Sequence, residues 1–166
     1  PIMFGIAAIA NTFVDRFFTD TPNAELITPV IIVLCPIILF IGGSSVFGTQ
    51  YLLPTNRMKP YTFSVFTGMA VNVILNLVFI PVYGAKGAAI ATVIAEFSVL
   101  AVQMIALRLE FSPVMYLQCW RNFLSGAVMF VCVAAIGRLI NSSTIASLFV
   151  QTASGVVIYF SLLFLL

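Results

Sequence analysis

VNVILNLVFIPVYGAKGAAIATVIAE, residues 71–96, is the stretch on which the reading of this chain turns. Two apolar runs flank a short polar turn at Tyr83 to Gly87, and a connection of that length forces them to be antiparallel neighbours. The pattern therefore predicts a hairpin of two apolar helices. Asn72 and Asn76 stand one helical turn apart inside the first arm, and Glu96 lies inside the second. Polar groups at such depth are costly and call for an explanation.

Outward from the hairpin the composition stays apolar. Hydrophobic residues make up 62% of the 166 and charged residues 7%, whereas about a quarter of an ordinary soluble domain is charged. A bilayer is the only solvent that suits such a chain. About 20 apolar residues cross the hydrocarbon, so the expected fold is an all-α polytopic transmembrane bundle of about six spans with short loops. Expected spans are 1–18, 26–53, 61–82, 87–107, 119–140 and 144–166. The first is either a complete short span or the tail of a longer one. The chain opens on Pro1 inside an apolar run and stops at Leu166 inside another, which reads as a fragment, with no secretory signal at its start.

Local chemistry refines these spans. Pro29 and Pro36 should bend or locally unwind the second one. Gly42, Gly43, Ser44 and Ser45 then make a thin patch that another helix could approach closely. In the connector Pro54 to Pro60, Arg57 and Lys59 sit between prolines and are flanked by Tyr51 and Tyr61, a headgroup-level arrangement. The next connector, Arg108 to Arg121, suits a stretch lying along the interface, and Asn141 to Ser143 a polar turn. Ala88, Ala91 and Ala95 are spaced to line the side of the fourth span that meets the third. The connectors 54–60 and 108–121 hold Arg57, Lys59, Arg108 and Arg121, against Arg16, Lys86 and Arg138 in the alternate ones. That bias places the first pair on the cytoplasmic side.

Catalysis has little to build on. With five acids and no histidine, there is no Ser-His-Asp arrangement, P-loop or dinucleotide fingerprint, and neither an enzyme activity nor a cofactor is expected. Cys35, Cys119 and Cys132 share no metal-ligand spacing and read as small buried apolar residues. A net charge of +2 with scattered bases does not argue for nucleic acid.

Candidate binding residues are those whose polarity conflicts with their depth. Glu96, with Gln103 two turns on along roughly the same face, is either a hydrogen-bonded tie between helices or a substrate or proton site. Asn72 and Asn76 either bond across helices or line a polar cavity; such bonds average only about 0.6 kcal/mol. Arg16 and Arg57, like Lys59, Arg108 and Arg138, lie at span ends, where they either snorkel to the interface or turn inward to an anionic head group.

The run Gly48-Thr-Gln-Tyr-Leu-Leu-Pro-Thr-Asn-Arg-Met-Lys, then Gly68, Asn72-Val-Ile-Leu-Asn, Ile80-Pro-Val-Tyr-Gly-Ala-Lys-Gly-Ala-Ala-Ile-Ala-Thr and Glu96, resembles the C-terminal half of bacterial polysaccharide-repeat flippases. These are the Wzx-type members of the multidrug/oligosaccharidyl-lipid/polysaccharide exporter superfamily. The resemblance implies two helical bundles facing a central, often cationic cavity, this chain forming one lobe and an N-terminal lobe the other. It also implies alternating access and a lipid-linked oligosaccharide substrate on undecaprenyl pyrophosphate, flipped across the cell membrane for surface polysaccharide, with polysaccharide assembly proteins as possible partners. No catalytic residue travels with the family. Other readings are a drug or cation exporter of the same superfamily, which would favour more buried acids, a membrane-embedded polysaccharide polymerase, which would favour large polar loops, and a structural helical subunit.

Overall fold

The computed structural model describes residues 1–18, 22, 24–110, 113–140 and 145–165. The polar turn expected at Asn141 to Ser143 and most of the acidic loop after Thr19 fall outside these residues. So do the side chains of Cys119, Arg121 and Arg138. The chain is an all-α helical membrane bundle, with no strand among the described residues.

In order, the helices are α1 (Ile2–Phe17), a 3-10 turn (Ala24–Leu26), α2 (Ile27–Leu34), α3 (Ile37–Ser44), a π-helix (Ser45–Leu52), α4 (Met58–Tyr83), α5 (Ala85–Ala106), α6 (Pro113–Ile140) and α7 (Ile145–Leu165). Among the described residues three helical stretches are long and apolar enough to cross a membrane: Ala24–Leu52, Met58–Tyr83 and Ala85–Ala106. Shorter apolar stretches run over Asn122–Gly137 in α6 and Ala146–Leu162 in α7.

The chain divides into two compact units. One comprises Pro1–Cys35 and Pro113–Leu166, the other Pro36–Ser112. In the first, α1 packs on α6 and α7 around Ala10, Val14, Met129 and Val133. Phe4 meets Phe123 edge-on at 5.2 Å between ring centres. The Thr12 hydroxyl lies 3.4 Å from the Gln151 amide, which is buried beside Gly137. An apolar cavity of about 360 Å³ opens beside this contact, between Gly5, Ile9, Met129 and Val156.

In the second unit, α5 has α4 along one side and α3 along another. Phe40 stacks edge-on against Phe97 at 5.3 Å, and Gly43 lets α3 come close to Leu100. Near the other end, Phe47, Leu52 and Leu107 form a small core with Tyr51, Tyr61 and Met104 around it.

The prolines act differently from one another. Pro29 sits in the first turn of α2, where its missing N–H removes no helical bond. Pro36 falls after the end of α2, and Cys35 N–H bonds both the Ile31 and Ile32 carbonyls, so the second expected span divides there. Further along, the Thr49 hydroxyl takes the Ser45 carbonyl at 2.6 Å, and Leu53 N–H reaches back five residues to Gly48 O at 3.1 Å. That wider π register over Ser45–Leu52 is absent from any apolar pattern.

The hairpin turn is tighter than the polar stretch suggested. α4 continues through Pro81 to Tyr83, α5 starts at Ala85, and Gly84 alone turns the chain at φ 56°, ψ −132°. A side chain there would be strained, so glycine is required.

Candidate functional site

The α4–α5 seam is built from small residues. On α5 the buried row is Gly87, Ala91, Ala95 and Gln103, each one turn or two from the next, and on α4 it includes Ser64 and Gly68. Ala88, expected on this row, is half-buried instead, because the ridge that enters the α4 groove advances by four residues from Gly87. A Cβ on Gly68 would strike Val99, and one on Gly87 would strike the Phe79 backbone, so the two helices touch nearly backbone to backbone. The outward face of α4 is the reverse: Phe63, Phe66, Met69, Val73, Leu77 and Val78 are all exposed. Lipid is as apolar as leucine, so bulk faces out while close packing and polar bonds hold the seam.

This arrangement decides where the polar residues lie. Ser64 meets Gln103 and Gly68 meets Val99 across the seam. Continued along the hairpin, that register brings Asn72 to the level of Ala95, one residue from Glu96. Asn72, Asn76 and Glu96 are all half-buried. Because α4 and α5 run antiparallel, residues displaced in the same sense along each helix come out on one flank of the seam. Glu96 is turned about 100° from Ala95, and Asn72 and Asn76 are turned by steps of about 40° from Gly68, which puts all three on that flank.

The depth is as informative as the side. α4 has 26 residues and α5 has 22, lengths of about 39 and 33 Å at about 1.5 Å per residue, against about 30 Å of hydrocarbon. Both helices are therefore long enough to span the hydrocarbon, and Asn72 and Glu96 fall near their midpoints. Asn76 donates its amide to Asn72 Oδ1 at 2.8 Å. Asn76 Oδ1 is buried and, among the described residues, accepts nothing. Beside it runs an open groove of about 370 Å³ lined by Asn72, Val73, Asn76, Leu77, Ile80 and Pro81. Pro81 has no N–H to offer the Leu77 carbonyl, so a second acceptor oxygen is left unclaimed by its usual helical donor.

Gln103 belongs to a different setting. It is fully buried, donates to Ser64 Oγ at 3.1 Å, and Ser64 in turn donates to the Tyr61 carbonyl at 2.7 Å. Its Oε1 has no partner among the described residues. It shares an α5 face with Glu96 but closes the packed end of the seam, against Gly48 of the π-helix.

Arg57 is half exposed at the N-terminus of α4 and pairs with Glu110 Oε1. The other Glu110 oxygen accepts the Tyr51 hydroxyl at 2.6 Å. Those two bonds, Tyr51 first and Arg57 second, hold the Glu110 carboxyl below its ordinary range, while Glu110 raises the Arg57 guanidinium. Arg16 is exposed in the last turn of α1, in the other unit. The structure thus bonds Asn76 to Asn72, with Glu96 at their level on α5 by the register of the seam, ties Gln103 to Ser64 and Arg57 to Glu110, and leaves Arg16 in a separate unit.

Ser64, Glu110 and Pro81 were not singled out in the sequence, and Tyr51 was read only as a headgroup-level aromatic. Ser64 could have been found by its spacing of four before Gly68, and Glu110 as the lone acid between Arg108 and Arg121. Among the described residues no cluster of three or more His, Cys, Asp or Glu could hold a metal ion. Two amides and a carboxyl near the middle of an apolar hairpin can hydrogen-bond a polar solute.

These features define an all-α membrane bundle with a polar flank at mid-depth. Compared with known proteins, the chain matches no protein-family model, no curated protein and no solved structure.

Proposed function

We propose that this chain is one lobe of a membrane transporter that flips lipid-linked oligosaccharide units across the cell membrane for surface polysaccharide, by alternating access. The observation that carries the reading is the asparagine pair: Asn72 and Asn76, bonded to each other, line an open groove on α4, and helix geometry puts Glu96 at their level on the same side of the α4–α5 seam. The chemistry of this flank suits a hydroxyl-rich solute, which offers donors to Glu96 and acceptors to Asn72 Nδ2. The likeness of residues 48–96 to polysaccharide-repeat flippases supplies the substrate class and the second lobe.

Glu96→Gln and Asn76→Leu test it in the protein as expressed in cells whose surface polysaccharide depends on it. Glu96→Gln keeps shape and removes the charge; Asn76→Leu removes both the bond to Asn72 and the free oxygen. Each is expected to cut polysaccharide output several-fold at unchanged protein level. Normal output from both variants refutes the proposal.

A further inference from the structure

We propose that the outward face of the first two turns of α4 binds one anionic phospholipid, with its phosphate on Lys59 and Thr62 and an acyl chain along Phe63 and Phe66. An open groove of about 490 Å³ lies there, lined by Met58, Lys59, Thr62, Phe63 and Phe66. It is separate from the polar flank, on the side of α4 that faces away from α5, and does not depend on the transport reading.

Charge selects the ligand. Glu110 is the acid at this end of the hairpin, and Arg57 and Tyr51 occupy both its oxygens. Lys59 has no ion pair among the described residues and is exposed, as is Arg108. An unneutralised ammonium at the rim of an apolar groove is complementary to a lipid of net negative charge and not to a zwitterionic one, whose cationic head would meet Lys59.

Thr62 supplies the second polar contact. Thr67, in the same helix, spends its hydroxyl on the Phe63 carbonyl at 2.8 Å, and Thr49, Thr92 and Thr152 bond back in the same way. Thr62 makes no such bond among the described residues, and it stands three residues on from Lys59, on the same face. Its hydroxyl is available to a phosphate oxygen.

Depth fits as well. A helix of 26 residues overshoots the hydrocarbon, so Lys59 in its first turn lies among head groups. Phe63 and Phe66 are 65% and 59% exposed, and exposed Met69 continues the apolar track toward the middle of the helix. Head, neck and tail of a phospholipid find matching surface in order.

Native mass spectrometry of the full chain in detergent, with phosphatidylglycerol or phosphatidylcholine of the same acyl chains added, tests the site. One phosphatidylglycerol should be retained and no phosphatidylcholine. Lys59→Gln should weaken it about fivefold, the equivalent of one basic contact of about 1 kcal/mol. Thr62→Val should weaken it further, Lys59→Arg should retain it, and Lys86→Gln at the opposite end of the hairpin should not change it. Equal retention of the two lipids overturns the proposal, as does a loss as large in Arg108→Gln as in Lys59→Gln, which would mean diffuse charge attraction. A protein dimer that Phe63→Lys dissociates would place a second copy on this face and overturn it too.

Discussion

Gly87→Ala should be the most damaging single methyl in the α4–α5 hairpin. An ideal Cβ at residue 87 would stand 2.6 Å from the Phe79 carbonyl carbon and closer still to its oxygen, where ordinary contact begins at 3.4 Å. The shortfall to the carbon, 3.4 less 2.6, is 0.8 Å. The obstacle is backbone, so no rotamer change clears it, and Gly84, three residues before, holds the arms together. The helices must part, and a gap of 0.5–1 Å forfeits about a quarter to a half of each dispersion contact along the Ala91 and Ala95 row. Overpacking of this kind costs about 1–3 kcal/mol, and the rigid obstacle places this case in the upper half. Gly68→Ala is the informative contrast, because its Cβ meets the Val99 side chain. Adding Val99→Ala should then recover most of the loss, a coupling of about 1 kcal/mol or more. Phe79→Ala should not rescue Gly87→Ala, since it keeps the carbonyl. Reversible unfolding in mixed micelles, followed by helicity, measures these four variants and Val99→Ala alone, which closes the cycle. Gly87→Ala within about 0.5 kcal/mol of the parent, or its rescue by Phe79→Ala, refutes this picture of the seam.

Gly84→Ala forces an L residue to φ 56°, ψ −132° and should cost about 1–3 kcal/mol in the same unfolding assay. Ser64→Ala strands the Gln103 amide in a buried site and should destabilise by about 1–3 kcal/mol, whereas Gln103→Leu also removes the unpartnered Oε1 and should cost less, so the order of the two is the readout. The Glu110 carboxyl is held below its ordinary value of 4.5. A depressed acid stabilises the fold above that value and loses its contribution as pH falls through the lower, folded one. The protection of amides at residues 53 and 55–57, as exchange relative to the unfolded rate at each pH, should therefore stay high at neutral pH and fall in acid below the ordinary glutamate range, while Glu110→Gln should be less protected at neutral pH and show no such step.

Much of this architecture is legible without coordinates, because a bilayer leaves few choices. The apolar runs had to be helices, since unpaired backbone groups are not tolerated in hydrocarbon. The short connection at Tyr83 to Gly87 had to make their arms neighbours. Pro36 announced the break after α2, and Arg57 and Lys59 with Tyr51 and Tyr61 announced a membrane boundary. The π-helix at Ser45–Leu52 was not legible, because its wider register leaves no mark in an apolar pattern. The seam residues were legible only to within one position: Ala88 carries the same composition signal as Gly87, and only the helix crossing separates them.

The candidate site divides along the same line. That Asn72, Asn76 and Glu96 lie at membrane depth is a matter of counting along apolar runs, and the sequence alone determines it. Which way they point is a matter of register, and register is decided where Gly68 meets Val99 and Gly87 meets Phe79. Helical periodicity places Gln103 and Glu96 on one face and cannot distinguish them. Close approach at the π-helix seals Gln103 against Ser64, while Glu96, on the flank, stays half-buried at the level of the asparagine pair.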